Sequence, residues 1–308
     1  TFETSFVEHA PIEPEAGHAV RIGDTVEIAA TTQAPVMNRD SIAAILALPK
    51  ESVRILPSAV GGGFGSKLDL SIQPLLALAA WRLGRPVRGA FTRPESMMAT
   101  TKRHPARMRV RVGADADGTV VALDYAGDFN TGAYASWGPT VANRVPVHAS
   151  GPYATPNYRA RTRAIHTHRV PAGAFRGFGV PQSAVAQECL YDELADRLGI
   201  DRLDFRLRNA LRDGVPTVTG QVFEAGVGIA ACLEALRPRW RRAREEAAAF
   251  DPAGGPIRRG VGIAAGWYGC GNTSIANPST IRCGVRRDGT VVLHQGAMDI
   301  GQGANTVI

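Results

Sequence analysis

Three short runs in this 308-residue chain combine glycines with side chains able to grip an anion or an amide edge. They are Val60–Lys67 (VGGGFGSK), Ala174–Gln182 (AFRGFGVPQ) and Asp299–Thr306 (DIGQGANT). Consecutive glycines let backbone N–H groups approach a ligand closely and converge on negative charge. Arg176 adds a fork of donors, and Gln302 offers both a donor and an acceptor. One such run alone reads as a tight turn; three in one chain read as a cradle for a phosphate-bearing ligand. Neither familiar cradle fits. A P-loop needs Gly-Lys-Ser/Thr where this chain has Ser66-Lys67-Leu68, and the dinucleotide fingerprint needs a glycine where Ser66 stands. Taken one at a time, Phe64 and Phe178 read as core aromatics and Arg144 as a surface arginine. His166 and His168 alternate on one strand without a third ligand nearby, so they read as structural histidines. No serine elbow, HExxH or catalytic-cysteine signature occurs.

The elements that must position these runs follow from periodicity and turn chemistry. Thr25–Thr31 reads as a strand, and Asp40–Leu48 as a short helix ended by Pro49. Val53–Pro57 is an apolar lead into the first glycine run, and Pro74–Leu83 is a helix stopped by Gly84. Asp117-Gly118 and Asp288-Gly289 signal hairpins over Arg107–Tyr125 and Ile281–His294. Arg159–Val170 reads as another strand. Helical patterns cover about 183–198 and 227–249, with Pro238 expected to kink or split the second. The mixture lacks strict βαβ alternation, which predicts an α+β fold of mixed sheets with packed helices. Residues 1–308 read as one domain, with 251–256 the only internal linker signal.

Composition excludes other classes. No run approaches the roughly 18 apolar residues of a membrane span. The net charge of +7 permits anionic partners, but only Arg237–Arg244 (RPRWRRAR) clusters, inside a helical pattern that runs into Glu245-Glu246. That is a solvated helix face, so nucleic acid is not expected as a partner. Four widely spaced cysteines form no CxxC pair, which argues against a disulfide framework or an iron–sulfur cassette and for a reducing, cytoplasmic setting. The start at Thr1 shows no signal peptide, and its lack of Met suggests a piece of something longer.

The three glycine runs resemble the molybdopterin-contacting loops of the xanthine dehydrogenase/aldehyde oxidase family. Two further segments add to the likeness: Glu8–Pro14 (EHAPIEP), similar to the family's first strand region, and Asp204–Asn209 (DFRLRN). The resemblance covers essentially the whole chain. It implies a first molybdopterin-binding domain, present as a fragment or a split subunit, that takes molybdopterin or its cytosine dinucleotide form. It further implies partners: a second molybdopterin-binding domain or subunit, an iron–sulfur subunit carrying 2Fe-2S, an FAD subunit and a small-molecule substrate.

Roles carry over residue by residue. Gln33 precedes Phe64 by 31 positions, as does the family's metal-facing glutamine. Gly62, Gly63, Phe64 and Gly65 match the loop beside the metal, Arg176 the arginine whose backbone touches the metal site, and Gly301, Gln302 and Gly303 the loop whose glutamine bonds the pterin region. Phe178 matches the substrate-stacking aromatic, and Arg144, 31 positions before Phe175, the arginine that polarises a substrate carbonyl. Leu68 stands where xanthine enzymes carry a purine-binding glutamate, so the implied substrate is an aldehyde or N-heteroaromatic compound rather than xanthine. Gly177 stands where carbon monoxide dehydrogenases carry a copper-binding cysteine, which excludes that chemistry. The stretch Trp267–Ser274, expected to border the substrate, lacks the Phe-Thr pair of the xanthine enzymes. The family's general-base glutamate lies in the second cofactor domain, so the resemblance implies that this chain alone is inactive. The competing readings are a nucleotide-binding module and a basic interaction module, both without redox activity.

Overall fold

The computed structural model describes residues 1–250, 256–270 and 278–308. Two four-stranded mixed sheets, each backed by helices, form the body. The first contains β2 (Ala16–Ile22), β3 (Thr25–Ala30), β4 (Val53–Pro57) and β5 (Val87–Ala90) in the order β4-β3-β2-β5. Strands β3 and β4 are parallel, so the chain between them must cross over, and helix α1 (Pro35–Leu46) makes that crossing. Ala19, Val26, Ile28, Ile42, Leu76 and Ala77 form the core between this sheet and helices α1 and α2 (Gln73–Leu83).

Helix α1 starts five residues before the Asp40 expected from periodicity. Pro35 occupies the first turn, where its missing N–H costs nothing. The chain leaves the helix at Ala47, in the left-handed conformation, before Pro49 can interfere.

The second sheet runs β1-β6-β7-β8: β1 (Phe2–Thr4), β6 (Ala106–Ala114), β7 (Val120–Gly132) and β8 (Asn157–His166). The Asp117-Gly118 hairpin joins β6 to β7, with Gly118 at φ 88°. Along β6, Ala106, Met108 and Val110 face inward while Arg107, Arg109 and Arg111 face water, the alternation of a sheet covered on one side. Strands β7 and β8 are parallel, and α4 (Gly138–His148) is the crossover between them. Periodicity does not reveal α4, because Pro139 and Pro146 break its pattern. Tertiary packing of Val141, Ala142 and Val145 on Met108, Leu123 and Phe129 holds it nonetheless.

Helix α3 (Arg93–Ala99) opens with a complete capping box between Thr92 and Glu95. Helix α5 (Val180–Leu198) packs beside α4 and is joined to α6 (Arg202–Asn209) by buried charge. Arg206, 0% exposed, pairs with Glu188, which also accepts from Tyr153. Helix α7 (Ile229–Phe250) continues through Pro238 as one element, so of the expected kink or split the split does not occur. Leu233 and Trp240 anchor it on either side of the proline. The second hairpin forms as read, from β9 (Arg282–Val285) and β10 (Val291–His294), and α8 (Ala304–Val307) follows it. The linker expected at 251–256 falls, but for Pro256, outside the described residues. No described helix is long and apolar enough to cross a membrane.

Candidate functional site

The first glycine run leaves β4 as an open loop, with Gly62 at φ 94° and Gly65 at φ 110°. Gln33, at the turn between β3 and α1, is tied to it at three points. Its N–H donates to Lys67 O at 2.9 Å, and its Oε1 accepts from the N–H groups of Gly65 at 2.9 Å and Lys67 at 3.3 Å. A Cβ on Gly63 would lie 2.5 Å from that oxygen, so this close approach requires glycine. The amide is therefore fixed with its oxygen toward the loop. Its NH2 end donates to nothing among the described residues and remains available to a ligand.

The other two runs close on this loop. Arg176 N–H donates to Phe64 O at 2.8 Å, which joins the second run to the first, and Gly62 N–H donates to Ile300 O at 3.1 Å, which joins the third. Sequence separations of over a hundred residues thus collapse to single hydrogen bonds. Phe64 sits at φ 56° and Phe178 at φ 45°, strained for residues with a Cβ. The Arg176 guanidinium lies 5.3 Å over the Phe64 ring. The N–H groups of Gly63, Phe64 and Gly177 bond to nothing among the described residues, which leaves donors for an anion.

A clamp absent from the sequence expectations holds the arginine loop. His9 stacks on Phe175 at 3.9 Å, with Nε2 2.7 Å from Ala174 O, while Arg103 lies 3.8 Å over the Phe175 ring and donates to Arg176 O at 2.8 Å. Segment Glu8–Pro14, which supplies His9, is an irregular loop between β1 and β2, with Ala10 at φ 47°. Burial pushes both His9 and His104 down to about 4, with the Arg103 charge adding to the shift at His104. Both histidines are thus neutral in the fold, whereas an unfolded histidine titrates near 6.5. Their contribution to stability is present above pH 6.5 and is lost as pH falls toward 4. The expected result is a melting temperature that falls across that window and a flatter profile for the His9→Phe/His104→Asn variant; identical profiles would refute the assignment.

Lys67, 1% exposed, reaches out of the first loop to Glu13, donating to its carbonyl and its Oε2, both at 3.0 Å. Glu13 Oε2 also accepts from Gly61 N–H at 2.6 Å. Asp299 accepts from the N–H groups of Asn305 and Gly301, which hold its carboxyl below the usual range. Gln302 folds onto its own loop, accepting from Ile300 N–H and donating to Met298 O. The side chain expected to bond the pterin region is therefore engaged locally.

Arg144 is buried on α4 rather than at the surface. It donates to Gly269 O at 2.6 Å, and its guanidinium lies 4.1 Å over the Tyr268 ring. His148, one turn on, accepts from Gly269 N–H through Nε2. The stretch expected to border the substrate thus lies on Arg144 itself, though its Gly271–Ser274 part is outside the described residues. Leu68 ends the turn after the first loop and lines a cleft of about 580 Å³ shared with Asp69, Ser136, Trp137 and Thr140. Trp137 meets Phe178 edge-on at 6.1 Å, so this cleft adjoins the second loop. Among the described residues no group of three His, Cys, Asp or Glu side chains is placed to hold a metal.

Arg103 and Asp69 carry no local signal, and the motifs that contain His9, Glu13 and Lys67 do not reveal their partners. Only the fold gives them partners.

A family model described as a molybdopterin cofactor-binding domain matches residues 1–210, and a second model with the same description matches 234–308. The nicotinate dehydrogenase large molybdopterin subunit of Eubacterium barkeri is 41% identical over 240 residues, covering 78% of this chain and 56% of that protein. The aldehyde oxidoreductase of Megalodesulfovibrio gigas is 33% identical over 299 residues, 96% of this chain and 32% of that one. The solved structure of the Desulfovibrio gigas aldehyde oxidoreductase superposes with a TM-score of 0.90 at 32% identity, covering 99% of this chain and 33% of that one. Carbon monoxide dehydrogenase from Oligotropha carboxidovorans, at 20% identity and a TM-score of 0.77, shares the fold.

Proposed function

Since this chain belongs to the molybdopterin cofactor-binding family of xanthine dehydrogenase and aldehyde oxidoreductase relatives, we propose that it forms one wall of a molybdenum hydroxylase site acting on an aldehyde or N-heteroaromatic substrate. The observation that carries this is the joining of all three glycine loops through Phe64 O and Ile300 O. That union also spans the two matched regions, because the third loop lies in 234–308. We therefore treat residues 1–308 as one cofactor-binding body.

The residues suit the group. Gly63 and Gly65 leave no room for a Cβ, the donors on Gly63, Phe64 and Gly177 are free, and Gln33 offers an unused NH2. When bound, the cofactor supplies two-electron redox chemistry. The chain supplies the rest of the wall: Gln33, Phe64 and Arg176 beside the metal, loop N–H groups toward the pterin and its phosphate, and Phe178 with Leu68 toward substrate. Arg144 orders the Tyr268–Gly269 segment and puts a cation behind it, where it would stabilise negative charge developing on a substrate oxygen.

Glu13 and Asp299, the carboxylates bonded to the first and third loops, are poor bases. Glu13 is bound to Lys67, and Asp299 is held ionised by backbone donors. Following the family resemblance, the general base is assigned to a partner region, and electron transfer to 2Fe-2S and FAD partners in a cytoplasmic assembly. The test is metal and pterin analysis of the chain purified within that assembly, alongside turnover assays. Stoichiometric molybdenum and pterin, lost in Gln33→Ala, with no turnover by the isolated chain, is the expected result. An active assembly without molybdenum, or turnover by the chain alone, defeats the proposal.

A further inference from the structure

Among the described residues Asp69 is the one charged side chain lining the cleft beside Leu68; the other walls are Met37, Leu70, Trp137, Pro171, hydroxyls and an amide. Its Oδ2 accepts from Ser136 Oγ at 2.9 Å, and a Cβ on Gly173 would lie 2.6 Å from that oxygen. The chain thus builds the carboxylate in closely, against the base of the arginine loop. No lysine, arginine or histidine pairs with it among the described residues, whereas Glu8, Glu13, Asp124, Asp128 and Glu188 all have a cation. Burial holds its carboxyl above the usual range, the Ser136 and Thr101 hydroxyls offsetting part of the effect. A carboxylate held in a cleft without a counter-ion is costly to the fold. Its cost falls when a donor arrives in the cleft.

We propose that Asp69 selects the substrate: the cleft takes N-heteroaromatic compounds that present a hydrogen-bond donor, such as an exocyclic amine or ring N–H, to its carboxylate, and rejects anionic acids. This rests on the hydroxylase reading for its chemistry but not for its geometry. Leu68 and Trp137 supply the apolar walls for a flat ring, and Trp137 links the cleft to Phe178. Asp69 fixes which edge of that ring points inward. The Eubacterium barkeri relative is named for nicotinate, an anion of the class this cleft is expected to reject.

The test is a ligand-observed NMR titration of the full chain with 3-aminopyridine, its isostere 3-methylpyridine, and nicotinate. Wild type is expected to bind the amine more tightly than the methyl compound, on the order of tenfold, the scale of one hydrogen bond to a charged group. Nicotinate should bind most weakly. Asp69→Leu should erase the preference for the amine, and Asp69→Asn, which keeps an acceptor for Ser136 and safeguards folding, should reduce it and relieve the exclusion of nicotinate. Equal affinities in wild type, nicotinate bound best, or an order unchanged in both variants would each overturn the proposal. The titration needs no metal and no turnover. The predicted order without molybdenum in the assembly would sink the hydroxylase reading and leave the cleft assignment standing; the reverse pattern would do the opposite.

Discussion

Gly65→Ala is expected to part the first two loops and strip the assembled protein of molybdenum. A Cβ there would lie 2.5 Å from Ala174 O and 2.7 Å from Ala174 C, atoms of a backbone that His9 and Arg103 already clamp. Neither can yield as the end of a flexible side chain would. The residue also sits at φ 110°, a conformation costing a non-glycine residue about 1–3 kcal/mol before any overlap. Relief requires moving Phe64, whose carbonyl is the bond between the loops. Gly84→Ala is the control: φ 59° with nothing within 4 Å of the added carbon, so only the mild left-handed cost applies. The measurement is metal and pterin content together with a thermal melt of both variants. A Gly65→Ala protein that keeps its full molybdenum would show that loop contact does not hold the cofactor.

Lys67→Met is the second large effect, and it acts on stability. Lys67 is sealed at 1% exposure, and its ammonium satisfies both the carbonyl and the carboxylate of Glu13. Removing one partner of a buried pair costs about 3–5 kcal/mol, because the other charge is left without compensation. The Glu13 side chain is 30% exposed and can turn partly to water, so about 2–3 kcal/mol is the better expectation. Lys67→Met with Glu13→Gln should recover much of that loss, since no buried charge is then stranded. Chemical denaturation of the wild type and the two variants decides it. A double variant no more stable than the single one would mean that Lys67 matters for its stem rather than its charge.

The family, the α+β class and the three loops were legible in the sequence because each depends on local requirements. The glycines at 62, 65, 177, 179, 301 and 303 all take positive φ, which no other residue adopts freely, so their spacing records the loops directly. The hairpins at Asp117-Gly118 and Asp288-Gly289 formed as read for the same reason. Boundaries and proline effects were less legible. Helix α1 extends back to Pro35, α4 forms around Pro146, and α7 runs through Pro238, each held by packing that a local pattern does not contain. What only the tertiary structure decided is who meets whom. Nothing near His9 announces Phe175, nothing near Lys67 announces Glu13, and nothing near Asp69 shows that no cation among the described residues reaches it. Arg144 has the sharpest contrast: its flanking residues suit a surface arginine, yet the crossover between parallel β7 and β8 buries it beneath Tyr268. A local pattern fixes backbone conformation within a few residues; burial and pairing depend on chain segments a hundred residues away, and those set the chemistry of the site.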